Sequence, residues 1–172
     1  MASTPFVEIP LLLQFVCLEV VCVSFMISVD NTAEDNQWWK DLFRLYAKTG
    51  EYFEIHCWAD ETRQLQLAEQ FGERACYIMP ELKIIHGTLT ERLIAFLLNE
   101  EKPTDCECYN KMTPFFTILI GDHFSSEKYG TEIILKSRSK KEEKQIEQVM
   151  TALASNAKIY RTAENSNTWR AL

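Results

Sequence analysis

The stretch from Val23 to Tyr46, VSFMISVDNTAEDNQWWKDLFRLY, decides the fold, because a strand pattern runs directly into a helix pattern. In its first part, apolar side chains recur at every second position, as they do on a strand with one buried face. The apolar set is Val21, Val23, Phe25, Ile27 and Val29. We therefore predict a strand whose other face is only partly covered.

The second part of the stretch predicts an amphipathic helix. Thr32 and Asp35 have the spacing of a capping box, and acids early in a helix face its positive end. At about 100° per residue, the large apolar side chains fill one broad arc: Trp38, Trp39, Leu42, Phe43, Leu45 and Tyr46. One reading of the two tryptophans is simple packing in the core, and the other is contact with a partner.

The same patterns continue along the chain and predict further elements. Strands are expected at Tyr52–Ala59, within Tyr77–His86 and at Lys158–Thr162, and a short helix is expected within Asp60–Arg74. Thr88 and Glu91 have capping-box spacing and predict a helix to about Glu101. Phe115–Ile120 and Thr131–Lys136 are predicted to form a hairpin joined by residues 121–130. A further helix is indicated by Ile146, Val149, Met150 and Leu153.

The predicted hairpin and the period-two alternation favour an α+β fold with an antiparallel-rich sheet and three main helices on one face. At 172 residues, 47% of them hydrophobic, we expect residues 1–172 to form a single α+β domain with a flexible tail from about residue 165. The other face of the sheet would remain available for binding.

Charge is distributed unevenly along the chain. The formal net charge is −7, with 9 Lys and Arg against 19 Asp and Glu in residues 1–124, and 9 against 6 in residues 125–172. A binding site for anions is therefore expected in the C-terminal third.

The apolar run Ile9–Val29 is long enough to suggest a membrane span or a signal peptide. Gln14 and Glu19 interrupt it, and no Lys or Arg precedes Lys40, so we interpret it as one or two buried strands with no membrane partner. The six cysteines are then expected to be reduced thiols, in the cytoplasm or the nucleus.

Catalytic and metal signatures are weak. The chain has no phosphate-binding loop, dinucleotide fingerprint, zinc-protease or serine-hydrolase motif. His56 and Cys57 with Cys106 and Cys108 could form a zinc site only if adjacent strand residues faced the same side. Cys57 could act as a nucleophile with His86 or His123 if the fold brought them together. We expect neither enzyme activity, nor a cofactor, nor a metal.

Three segments carry a resemblance to a known family. They are SVDNTAEDNQWW (Ser28–Trp39), CWADE (Cys57–Glu61) and YGTEIILKSRSKKEEKQIEQVMTALA (Tyr129–Ala154). In their order along the chain, these elements resemble the eukaryotic translation initiation factors of the 4E type, which bind the mRNA 5′ cap. The resemblance implies a curved antiparallel sheet, a nucleotide on its concave side and peptide partners on its helical side.

The resemblance also implies roles for individual residues. Trp58 would stack on the cationic methylated base, and Asp60 or Glu61 would accept hydrogen bonds from its edge. The RNA phosphates would meet Lys128, Lys136 and Arg138. An amphipathic helix of a partner protein would pack on Trp38, Trp39 and Leu97.

The chain also departs from the family pattern. The family sandwiches the base between two tryptophans, yet residues 1–30 contain no Trp, and Lys136 stands where another pocket aromatic is expected. Losing one aromatic face costs on the order of 1 to 3 kcal/mol of binding. The sequence therefore predicts a non-enzymatic protein-binding factor with a degraded or weak cap pocket and no affinity for DNA.

Two other functional classes remain open. An acidic immunity-type inhibitor of a basic toxin nuclease would suit the negative charge of the first 124 residues. A small cysteine- or zinc-dependent enzyme is the second alternative.

Overall fold

The computed structural model describes residues 23–29, 34–76, 80–104, 110–153, 157–163 and 170–171. Its helices are α1 (Gln37–Tyr46), α2 (Thr62–Ala68), α3 (Glu91–Asn99) and α4 (Lys140–Leu153). Its strands are β1 (Val23–Val29), β2 (Tyr52–Trp58), β3 (Glu73–Arg74), β4 (Leu82–Thr88), β5 (Thr117–Ile120), β6 (Phe124–Glu127), β7 (Glu132–Ser137), β8 (Ala157–Ala163) and β9 (Arg170–Ala171).

The described strands form one antiparallel sheet in the order β3-β4-β2-β5-β6-β7-β1-β8-β9. The sheet is curved and does not close on itself. Helices α1, α3 and α4, with the short α2, pack their apolar faces onto one side of it. The predicted α+β class, with a curved antiparallel sheet and three main helices on one face, is confirmed.

The core lies between the helices and the sheet. Along β1 the side chains of Val23, Phe25, Ile27 and Val29 are buried, while the intervening residues are half-buried, as the alternation predicted. β1 pairs with both β7 and β8, so its Phe25 lies opposite Leu135 on one side and Arg161 on the other. The face of the sheet away from the helices is only partly covered, and we call it the uncovered face.

Two helix starts differ from the capping boxes predicted in the sequence. Thr32 lies outside the described residues, and α1 begins after Asn36, whose buried side chain donates to the Met112 carbonyl at 2.9 Å and does not cap the helix. Asp35 accepts instead from the Gln37 amide at 2.9 Å. α3 begins after Thr90, whose Oγ1 accepts from the Leu93 amide, and Thr88 is the last residue of β4.

The predicted hairpin is wrong in its pairing. Residues 121–130 contain the additional strand β6, which lies between β5 and β7 and pairs with both. Its sequence FSSE resembles a polar loop, but Phe124 and Ser126 are buried. Ser126 is tolerated in the core because its Oγ accepts a 2.8 Å hydrogen bond from Trp39 Nε1.

The C-terminal end also differs from the prediction. Arg170 and Ala171 pair with β8, so the tail expected to be flexible contains a short strand. Residues 1–22, 77–79 and 105–109 lie outside the described residues, as does most of the tail. Within the described ranges, no helix combines the length and the apolar character needed to cross a membrane.

Candidate ligand-binding site

Trp58 is the last residue of β2 and lies on the uncovered face of the sheet. Phe53, Ile55 and Cys57 of the same strand point into the core, so alternation turns Trp58 the other way. A tight turn follows, in which the Glu61 amide donates to the Trp58 carbonyl at 3.1 Å. The Glu61 carboxylate in turn accepts from the Trp58 amide at 3.2 Å. The turn therefore brings acidic residues back beside the indole ring.

A cavity of about 660 Å³ opens at this turn. It is lined by Trp58, Ala59, Asp60, Glu61, Pro80, Glu81 and Tyr129. The three residues predicted from the sequence to contact a base thus line one cavity. Glu81 and Tyr129 were not predicted, because they come from distant parts of the chain.

Tyr129 reaches the cavity through an unusual backbone turn. Lys128 and Tyr129 both have positive φ, 49° and 59°, and Gly130 follows with φ 84°. Left-handed backbone at a residue other than glycine costs on the order of 1 to 3 kcal/mol and persists only where neighbours hold it. Here the Tyr129 carbonyl accepts from the amides of Met112 and Thr113 at 2.7 and 3.0 Å. The surrounding loop therefore fixes the ring of Tyr129 in place.

Phe116 joins the two aromatic walls of the cavity. Its ring centroid lies 4.7 Å from that of Trp58, at an interplanar angle of 51°. It also meets the ring of Tyr129 edge-on at 5.4 Å. Because Phe116 packs against both Trp58 and Tyr129, it restricts the rotamers of the two side chains.

The cavity is acidic. Asp60 and Glu81 are exposed at its rim, whereas Glu61 is largely buried. Glu61 Oε1 accepts from the Tyr129 hydroxyl at 2.9 Å and lies 3.6 Å from Lys111 Nζ. Lys111 Nζ also lies 4.4 Å from the centroid of the Tyr129 ring. Three carboxylates against the two ammonium groups of Lys111 and Lys128 favour a cationic ligand.

The three residues predicted to contact phosphates are not brought together. Lys128 precedes β7, adjoins Tyr129, and lies 2.6 Å from Glu132. Lys136 is near the far end of β7, where it lies 3.4 Å from Asp122, and Arg138 lies 3.6 Å from Glu51. At about 3.3 Å per strand residue, the strand separates Lys128 from the other two. Only Lys128 is placed beside the cavity.

The residues predicted to bind a partner helix are mostly in the core. Trp38, Trp39 and Leu97 are only 7%, 1% and 2% exposed. Trp39 stacks on Phe43 with ring centroids 5.1 Å apart, and its Nε1 is bonded to Ser126. Trp39 and Leu97 therefore offer no surface to a partner in this conformation.

Cys57 does not have the environment of a catalytic thiol. Its side chain is fully buried, and burial, with smaller effects from Glu61 and Glu69, raises its pKa to about 12. This environment favours the protonated thiol at neutral pH, which is the less nucleophilic form. In the described part of the chain no three His, Cys, Asp or Glu residues are grouped to hold a metal, while Cys106 and Cys108 lie outside that part.

A second polar cluster surrounds His123, at the turn between β5 and β6. His123 is 6% exposed, and its Nε2 lies 2.8 Å from Glu51 Oε2 without the alignment of a hydrogen bond. Its ring stacks on Tyr46 at 5.4 Å. Burial and the nearby Arg138 guanidinium lower the pKa of His123, although Glu51 opposes them. Burial also raises the pKa of Tyr46.

The chain was compared with protein-family models, with curated proteins and with solved structures, and none of the three comparisons found a match.

Proposed function

We propose that this protein is a non-enzymatic binding factor that holds a cationic aromatic base, of the kind present in the methylated mRNA 5′ cap, in the cavity between Trp58 and Tyr129. The observation that carries the proposal is the combination of two aromatic walls with three carboxylates in one cavity. The proposed role is that of a translation initiation factor-like, RNA-binding protein.

The aromatic side chains of the cavity contribute stacking to the binding free energy. A base that stacks on a tryptophan or tyrosine gains about 1 to 3 kcal/mol per ring, and a positive charge on the base adds a cation-π contribution. In this proposal Trp58 takes the place of one of the two tryptophans of the 4E-type family, and Tyr129, which is 5% exposed and has Lys111 over its ring, gives the second aromatic wall only a small contact area. A tyrosine gives a smaller surface than a tryptophan, which fits weaker binding.

The carboxylates supply selectivity for charge. Asp60 and Glu81 stand exposed at the rim, where they can accept hydrogen bonds from the edge of a base. Glu61 already accepts from Tyr129, so its main role is to hold the wall and to add negative potential. A neutral base would gain the stacking without the electrostatic attraction.

Phosphate binding contributes little in this proposal. Lys128 is the basic residue among the three predicted that adjoins the cavity, and it already faces Glu132. The base therefore provides most of the affinity, and salt affects binding weakly because few phosphates are neutralised.

Calorimetric titration with 7-methylguanosine diphosphate and with unmethylated guanosine diphosphate tests the proposal. We expect the methylated nucleotide to bind at least about tenfold more tightly. Trp58→Ala should abolish this binding. Tyr52→Ala is the matched control, because Tyr52 is a half-exposed aromatic on the same strand, outside the cavity. Equal affinity for both nucleotides, or binding that survives Trp58→Ala, would refute the proposal.

A further inference from the structure

Lys111 places a positive charge against two residues that line the Trp58 cavity. Its Nζ lies 3.6 Å from Glu61 Oε1 and 4.4 Å from the centroid of the Tyr129 ring. The side chains of Lys111 and Glu61 are only 12% and 15% exposed. An ammonium group is therefore held between a carboxylate and an aromatic ring, which are the two kinds of group that bind an organic cation.

The covered ring of Tyr129 limits what a ligand can contact. Tyr129 is 5% exposed, because Phe116 meets its ring edge-on and Lys111 lies over it. Trp58 is half-buried and lines the cavity. A base can stack on Trp58 in this conformation, but contact with the face of Tyr129 requires the ammonium group of Lys111 to leave it.

A second cavity gives the Lys111 side chain another position. It has a volume of about 390 Å³, is lined in part by Lys111, and shares no lining residue with the Trp58 cavity. Its lining includes four further charged residues: Arg63, Glu100, Glu101 and Lys102. The flexible stem of a lysine lets the ammonium group turn away from Glu61 into this second cavity, where carboxylates are again present.

We infer that the position between Glu61 and Tyr129 is a binding site for an organic cation, and that the protein's own Lys111 occupies it until a ligand displaces the ammonium group. Lys111 thereby competes with every cationic ligand. It also disfavours neutral ligands, because a neutral molecule cannot replace the ion pair with Glu61. The ligand class is a small organic ammonium ion or a positively charged aromatic base. The part of the inference that concerns a base rests on the proposed function, whereas the cation position itself does not.

A purely structural role for Lys111 predicts the opposite effect on binding. If Lys111 only supports the cavity wall, its removal loosens Tyr129 and weakens the ligand. If Lys111 competes, its removal frees the face of the Tyr129 ring and the Glu61 carboxylate, so the ligand binds more tightly. The direction of the change in affinity therefore separates the two roles.

The first experiment tests the cation position without a nucleotide. Lys111→Ala removes a fragment with the shape of propylammonium and leaves the largely buried Glu61 without its cation, so Tm should fall. Replacing sodium chloride with about 100 mM propylammonium chloride should raise the Tm of this variant by about 2 °C or more. If the variant does not fold in sodium chloride, refolding in the two salts is the readout.

Matched controls show whether the effect belongs to this position. The alcohol n-propanol has the same shape without the charge, and it should raise the Tm of Lys111→Ala no more than that of the parent. Lys128→Ala breaks the more exposed ion pair with Glu132, and it should respond to propylammonium as the parent does. Adding Glu61→Gln to Lys111→Ala should abolish the gain.

The second experiment measures displacement by a base. In calorimetric titrations, 7-methylguanosine diphosphate should bind Lys111→Met about tenfold more tightly than the parent, since Met keeps the apolar stem and removes the competing charge. Lys111→Arg keeps a competing cation and should bind the nucleotide no more tightly than the parent.

The outcomes separate this inference from the proposed function. The inference is overturned by equal stabilisation from propylammonium and n-propanol, by no recovery of Lys111→Ala in propylammonium, or by nucleotide binding that is unchanged or weaker in Lys111→Met. If the parent and both variants bind no nucleotide while propylammonium restores Lys111→Ala, the proposed function is wrong. That result supports the cation position, with small ammonium ions as its ligands.

Discussion

The hydroxyl of Tyr129 donates a 2.9 Å hydrogen bond to the carboxylate of Glu61, although the two residues are 68 positions apart in the chain. The bond connects the turn after β2 with the left-handed turn before β7. It links two residues that line the cavity, so a substitution at either Tyr129 or Glu61 should also alter the position of the other.

Tyr129→Phe keeps the ring and removes this hydrogen bond. We expect the free energy of unfolding to fall by about 1 kcal/mol, because Glu61 loses a donor in a largely buried position. Urea denaturation measures the change. Tyr160→Phe is the control, since no hydrogen bond of the Tyr160 hydroxyl is found among the described residues, and it should leave stability nearly unchanged. Equal effects of the two variants would contradict the structural role of the bond.

Gly130→Ala should destabilise the protein more than Gly50→Ala. Both glycines have positive φ, 84° and 96°, so both substitutions strain the backbone. A Cβ at Gly130 would also lie 2.9 Å from Met112 Cβ and 3.1 Å from Trp39 Cδ1, whereas nothing lies within 4 Å of one at Gly50. We expect an excess cost of about 1 to 3 kcal/mol at Gly130. Paired thermal unfolding curves would show it, and similar losses at both sites would rule out the steric contribution.

The two serines of β6 provide a test of its position in the core. Ser126→Ala should destabilise by about 1 to 3 kcal/mol, because it leaves the buried Nε1 of Trp39 without an acceptor. Ser125→Ala, one residue earlier and on the uncovered face, should cost less than about 0.5 kcal/mol. Chemical denaturation of both variants checks the prediction. A larger loss at Ser125 would mean that the register of β6 is wrong.

His123 should make stability depend on pH in a defined direction. Burial and Arg138 lower its pKa in the folded protein, so the unfolded chain binds a proton more readily. The histidine therefore contributes stability that is complete above the ordinary value of 6.5 and decreases as pH falls below it. Thermal melts between about pH 8 and pH 5 should show the decrease. The decrease should be smaller in His123→Gln and retained in His86→Gln; an identical slope in all three proteins would contradict this assignment.

Thiol labelling should distinguish two of the cysteines. Cys76 is exposed, while Cys57 is buried with a pKa raised to about 12. At neutral pH, alkylation followed by peptide mass mapping should show Cys76 modified rapidly and Cys57 only in denaturant. Rapid labelling of Cys57 in the native protein would revive the thiol-enzyme alternative.

Sequence reasoning predicted the parts of the fold that local patterns encode. The alternation in β1 and β2 and the apolar arc of α1 identified which side chains face the core, because burial of one face is the dominant local constraint. It failed at β6, where two serines concealed a buried strand. The stabilising contact there, from Trp39 to Ser126, joins residues 87 positions apart and leaves no trace in either local sequence.

The candidate site was predictable to a similar extent. Trp58, Asp60 and Glu61 are close in sequence, so the turn after β2 was enough to place them together. Tyr129 was missed because its position depends on a left-handed backbone at a bulky residue, which sequence propensity disfavours. Trp38 and Trp39 are adjacent and similar in sequence. Only contacts with distant residues decide that the indole N–H of Trp39 has a hydrogen-bond acceptor and that of Trp38 has none among the described residues.

The position of β1 between β7 and β8 has a consequence for biosynthesis. Val23 pairs with Ser137 and Ala163, both more than a hundred residues later in the chain. As the polypeptide leaves the ribosome, neither neighbour of this apolar strand exists until β7 has been translated. The nascent chain therefore exposes it for most of synthesis, which makes shielding by a chaperone most valuable at this segment.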